Sequence, residues 1–321
     1  MTWSHDLLIA HGRASAALAR AEAHLALSAA PSIVTARIQF AEQDALAWLE
    51  GDSLHHEQLA LDYGSSPRSW RHWPYAFVRV FAHDLGVTRP PSAVRVADWI
   101  NGRCRQDTPS PAPVDLPLTI ADDRLASFCN RVRALASVPR LIAGADIAAA
   151  FVWASPLAHG NPVIGVMLAE RYALAGSALT SGGIAAIGLK ALHTPWHALV
   201  RGFDNGEHDD LSASGSALRL RLAWLASLEH GADHAHQLAT AVRLWLRRLD
   251  EACTASRRTS HLGRLCLLAA ESPAINVTRA SKTLGISRQA TNELITTACR
   301  HQLLREITLG SSFRRYHAAI S

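Results

Sequence analysis

Arg288, Gln289, Asn292 and Thr296 are spaced so that a helix would project all four from one side. Their chemistry is hydrogen bonding to base edges: an arginine fork fits guanine, and an Asn or Gln amide fits adenine in the major groove. Such a helix needs an apolar opposite face, which Ala290, Leu294, Ile295 and Ala298 supply, with Thr291 close to it. Just upstream, Thr278 is placed to cap a short helix, Gly285 gives a tight turn its backbone freedom, and Ser287 caps the second helix through its hydroxyl. The pattern predicts a helix-turn-helix whose second helix enters a groove. Beyond it, residues 304–308 and 313–316 read as two short strands around Gly310-Ser311-Ser312, a small wing that brings Arg314 and Arg315 to phosphate. Arg288, Gln289 and Asn292 are the expected base readers. Ser287, Arg279, Lys282, Arg314 and Arg315 are expected to hold the backbone, and Thr296 points outward beside them.

The charge distribution agrees. From Pro273 to the end, seven Lys and Arg face only Glu293 and Glu306, a balance of +5 that equals the net charge of the whole chain. The plain alternative is a three-helix packing unit with solvated charges. Cap, turn glycine, polar outer face and basic wing coincide, and together they favour double-stranded DNA as the partner.

The body of the chain carries a second constellation. Ser155-Pro-Leu-Ala-His-Gly-Asn-Pro-Val-Ile-Gly165 aligns without a gap to the signature of the Fic family, whose all-helical domain transfers AMP from ATP onto protein hydroxyls. Pro156, Gly160, Asn161 and Gly165 match. Glu50-Gly51, followed by Asp52, Leu54 and Glu57, is similar to the inhibitory-helix stretch of many Fic proteins, although Leu46 stands where a small hydroxyl residue is expected. The resemblance implies an inactive site. The family's catalytic histidine is Ser155, its magnesium-holding acid is His159 and its phosphate-gripping arginine is Val163, while Pro162 removes a backbone donor from the anion-binding turn. Losing a general base alone costs about two to four orders of magnitude in rate. The chain resembles, more closely than it does active Fic enzymes, a group of Fic-like bacterial proteins of unassigned function that have an eroded motif and end in a helix-turn-helix domain. No catalytic residue, metal ligand or cofactor is expected. A divergent nucleotidyl or phosphoryl transferase acting on protein hydroxyls is the alternative function.

These sites need a mainly all-α scaffold: a Fic-like helical bundle with a carboxy-terminal winged helix-turn-helix. Hydrophobic residues make up 49% of the 321 and charged ones 18%, the balance of a folded chain with a large core. Four regions are expected: 1–107, an amino-terminal helical region; 108–118, a Pro-rich connector; 119–257, the Fic-like core; and 258–321, the winged unit. The pattern is helical over 3–62, in amphipathic segments, with a break at 63–67, and helices are predicted over 75–84, 92–101, 121–138, 141–154, 164–176, 217–230 and 234–255. The first winged-unit helix is expected near His261. Residues 176–183 are predicted as a loop, and Gly182-Gly183 lacks the ending of a phosphate loop.

The polar run Glu229-His-Gly-Ala-Asp-His-Ala-His236 is read as a solvated turn between two helices and not as a zinc site, and His55-His56-Glu57 is equally weak. Trp70, Trp73, Trp196, Trp224 and Trp245 are read as packing anchors. Five scattered cysteines without metal spacing suggest reduced thiols, with Cys266 and Cys299 in the core. No secretory leader or membrane span is evident, so a soluble cytoplasmic protein is expected. One recognition helix covers few base pairs, which makes a homodimer the natural binding form. The body is also weighed as a sensor of a small-molecule effector, with no residue assigned to it.

Overall fold

The computed structural model describes residues 3–51, 96–97, 120–158, 160–179, 183–204, 215–255, 261–308 and 314–320. Several expectations lie outside these residues: His55 to Glu57, Trp70, Trp73, the 75–84 helix, Cys104, the Pro-rich connector, His159, Gly182 and the wing turn at 310–312. The described residues are mainly helical. Eleven helices are present among them: α1 (His5–Ala26), α2 (Pro31–Leu49), α3 (Asp122–Ala134), α4 (Arg140–Ala154), α5 (Asn161–Ala173), α6 (Ile184–Ala191), α7 (Trp196–Asp204), α8 (Gly215–Ala255), α9 (Leu262–Glu271), α10 (Val277–Leu284) and α11 (Arg288–Arg300). A two-stranded antiparallel sheet, β1 (Leu304–Glu306) and β2 (Tyr316–Ala318), completes the set. No helix among the described residues is long and apolar enough to cross a membrane.

Two compact units divide the chain, and neither is one block of sequence. The first takes 3–22, 45–51, 96–97 and most of 120–234; the second takes 23–44 and the described residues from 235 to the end. Helices α1, α2 and α8 contribute residues to both.

In the first unit α4 packs along α5, with α3 and α7 also against α4. Phe128 and Phe151 meet edge to face at 5.1 Å, and Trp196 lies 6.0 Å from Trp224. Both tryptophans are buried, as anchors should be, and the Trp224 indole N–H donates to the Leu141 carbonyl at 2.9 Å. Helices α6 and α7 were not expected. Residues 184–189 are buried without interruption, so the run has no polar face from which a helical period can be read.

Residues 215–255 form one helix where two were expected. The polar run does not break it, because Glu229, Asp233 and His236 recur at helical spacing and face groups on α1. Arg13 pairs with Glu229 at 2.9 Å, Arg20 with Asp233 at 3.2 Å, and the rings of His24 and His236 meet edge to face at 4.1 Å. The run is a helix stripe and not a turn. Helix α5 begins at Asn161, three residues earlier than expected, since Pro162 occupies the first turn, where its missing N–H costs nothing. Helix α3 ends at Ala134, four residues short of the expected 138.

Among the described residues, one ion pair is fully buried. The Arg221 guanidinium forks onto Asp146, with Nε 3.0 Å from Oδ1 and Nη2 2.9 Å from Oδ2, and both side chains are under 5% exposed. Burial pushes the Asp146 carboxyl above its ordinary range, and the hydrogen bonds and charge of Arg221 pull against that. Removing one partner strands the other in the core. Arg221→Ala should therefore destabilise the chain by about 3–5 kcal/mol, read by urea unfolding, while replacing both partners with apolar residues of like volume should cost less than either single change.

Candidate nucleic-acid interface

Asn276 caps the start of α10, its side-chain oxygen accepting the Arg279 N–H at 2.8 Å. The cap is therefore Asn276, and Thr278 lies within the first turn. Asn carries the acceptor that an unpaired first-turn amide needs, and its place three residues before Arg279 was the available signal. Gly285 ends α10 with φ +69°, the left-handed turn expected of it, and its N–H bonds the Ser281 carbonyl. Ser287 caps α11 as expected, its hydroxyl accepting the Ala290 N–H at 3.1 Å.

The inner face of α11 is Thr291, Ile295 and Ala298, all buried, with Ala290 and Leu294 only partly covered. Its centre sits one residue later than the apolar pattern suggested. Thr291 fits the core because its hydroxyl donates to the Ser287 carbonyl at 2.9 Å, which satisfies the one polar group it brings. Arg288, Gln289, Asn292 and Thr296 are all exposed, and so is Glu293 on the same side. Thr296 donates its hydroxyl to the Asn292 carbonyl and so offers an acceptor and a methyl outward.

Helices α9 and α11 pack with β1 and β2. The pairing sets Leu304 against Ala318, Arg305 against His317 and Glu306 against Tyr316. The second strand thus begins at Tyr316, where 313–316 was expected. Tyr316 also exchanges two backbone hydrogen bonds with Ile275, at 2.8 and 2.9 Å, so a third segment joins the small sheet and draws the strand later in sequence. Across the pair, Arg305 Nε donates to His317 Nε2 at 3.1 Å.

Of the residues expected at phosphate, Arg279, Lys282, Ser287 and Arg314 are exposed and Arg315 is partly buried. Arg314 lies 3.5 Å from the Glu306 carboxylate, a surface pair weak enough to open for a phosphate. Two polar side chains fix the supporting elements. The Trp245 indole N–H donates to the Leu303 carbonyl at 3.0 Å, and Arg37 caps the end of α9 by donating to the Ala269 and Ala270 carbonyls at 2.9 and 3.0 Å. Burial pulls the Arg37 pKa down to about 10, which leaves it charged at neutral pH.

The second constellation lies at the junction of α4 and α5. Ser155 caps α4 in the left-handed conformation, φ 44°, and its carbonyl accepts from Arg124 at 3.1 Å. Asn161 closes the loop on itself: its amide nitrogen donates to the Leu157 carbonyl at 2.7 Å and to Ser155 Oγ at 3.3 Å, and its oxygen accepts the Leu157 N–H. Pro156 is buried, and its carbonyl accepts the Ala121 N–H. Val163 lies in the core at 1% exposed. Gly165 serves packing, because a Cβ there would sit 3.0 Å from the Ala148 carbonyl. Glu50 and Gly51 form the turn that ends α2, Gly51 with φ +86°.

Another potential anion site is already filled. The backbone N–H groups of Ile184 and Ala185, at the start of α6, point at the buried Glu170 carboxylate at 2.6 and 3.3 Å. A carboxylate from the chain itself takes the place a phosphate would need. Among the described residues, no group of three or more His, Cys, Asp or Glu is placed to hold a metal ion.

No family model matches this chain, and no curated protein is significantly similar to it.

Ser287→Ala should lower stability by about 1 kcal/mol in thermal or urea unfolding, the ordinary value of a helix cap. Burial pushes the Cys266 thiol up to about 12, against 9.0 for an unburied thiol. The unfolded chain therefore loses that proton first, and stability should fall as pH rises from about 9 toward 12. Iodoacetamide at pH 8 should leave Cys266 unmodified in the folded protein, which peptide mass spectrometry reads.

Proposed function

We propose that this chain is a transcriptional regulator of the bacterial cytoplasm that binds double-stranded DNA as a homodimer, with α11 in the major groove. Arg288, Gln289 and Asn292 read base edges. Ser287, Arg279, Lys282, Arg314 and Arg315 hold the phosphate backbone, and Thr296 flanks the reading face. The observation that carries this reading is the two-sided character of α11: Thr291, Ile295 and Ala298 are buried, while the polar stripe opposite is open from Arg288 to Thr296. The cationic excess of the last forty-nine residues supplies the long-range attraction to a polyanion.

The body is read as a Fic-like bundle without catalysis. Support comes from Ser155, whose hydroxyl accepts from Asn161 in the loop's own hydrogen bonding, and from Val163, packed in the core where an arginine would grip phosphate. Incubation with labelled ATP and magnesium should leave no label on this chain or on other proteins, and ATP should not raise its melting temperature.

Fluorescence anisotropy with duplex of random sequence tests the main claim. Binding should weaken steeply between 50 and 200 mM salt, in proportion to the phosphates contacted, and Arg288→Ala should weaken binding to a selected site about tenfold. Absence of salt-sensitive binding near physiological ionic strength, or binding unchanged in Arg288→Ala, would overturn the reading.

A further inference from the structure

Glu293 is the single acid of α11, and it stands exposed on the face that carries Gln289, Asn292 and Thr296. A carboxylate facing a polyanion lowers affinity for every sequence, so its value there lies in choosing between sequences. Gln289 sits one helical turn before it, and its Nε2 donates to Glu293 Oε1 at 3.3 Å. A carboxylate only accepts hydrogen bonds, so this contact fixes which way round the Gln289 amide lies. The nitrogen faces Glu293. Left for a ligand are the Gln289 oxygen, its second N–H, and the other oxygen of Glu293. The first two form the acceptor and donor pair that complements adenine N6 and N7, and the third complements the exocyclic amino group of cytosine. Guanine offers only acceptors in the major groove, so its O6 and N7 would meet a carboxylate with no proton between them.

We propose that Gln289 and Glu293 act as one base-reading unit, in which the oriented Gln289 amide takes adenine and Glu293 admits cytosine and rejects guanine at the adjoining step. The inference rests on the DNA-binding reading above and adds to it a named preference and the residue that enforces it. Glu293 is here a specificity residue in its own right and a positioning residue for Gln289.

Selection of bound duplexes from a randomised pool with the full chain, compared among wild type, Glu293→Gln, Gln289→Ala and the double variant, tests it. Wild type should select adenine beside cytosine, with guanine at the cytosine position weakening binding by about tenfold or more. Glu293→Gln should cut that penalty to roughly threefold or less, since a glutamine can donate to guanine as well as accept. Gln289→Ala should relax the adenine position, and the double variant should change preference less than the two single effects combined. All four proteins should share one circular-dichroism spectrum and melting temperature, because both side chains are exposed. If Glu293→Gln tightens binding to every duplex alike and leaves the preferences intact, Glu293 is a bystander charge, and this inference fails while the DNA reading stands. If wild type selects no duplex, both fall together.

Discussion

Helix ends leave backbone amides and carbonyls without partners, and at several ends among the described residues buried or capping side chains take them up. Glu170 accepts the first amides of α6, Arg37 donates to the last carbonyls of α9, Asn276 and Ser287 cap α10 and α11, and Asn161 holds the loop before α5. Leaving such a group buried and unpaired costs about 1–3 kcal/mol. At these ends a side chain supplies the partner, whereas the starts of α3, α4 and α9 have no side-chain cap bond. In the body, Ser155 and Asn161 bond to their own loop, and the amides of α6 already hold a carboxylate.

The same economy has the opposite result at α11. Its single buried polar side chain, Thr291, satisfies itself against the backbone, and Ser287 disposes of the first-turn amide. Among the described residues no scaffold group bonds the side chains of Arg288 or Asn292, and the side chains of Gln289 and Glu293 bond each other. A polar stripe left over after the fold has been satisfied is the kind of surface that recognition uses. In this account the neighbouring Arg279, Lys282 and Arg314 supply attraction and register, and the stripe supplies choice.

Much of this was legible in the sequence where a local rule governs. Gly285 and Ser287 announced the turn and cap because each position admits few residue types, and the outward set on α11 followed from helical spacing alone. What the sequence hid was tertiary in origin. The run from Glu229 to His236 reads as a turn in sequence, and only the packing of α1 sets Arg13, Arg20 and His24 opposite it. Helix α6 has no polar side to reveal its period, and the start of β2 was set by Ile275, some forty residues away in the chain. Asn276 was missed as a cap because Thr278, a good capping type, stood nearby. Glu293 was counted only as a negative charge, since its bond to Gln289 depends on rotamers that spacing allows but does not fix.

Methylation interference on a selected duplex bears squarely on the α11 contact, because methylating guanine N7 alters only the major-groove edge that α11 is proposed to read. Methylation at one or two guanines within the site should abolish binding, and Arg288→Ala should remove this sensitivity at one of them. Full binding to premethylated duplex at every position would contradict that contact.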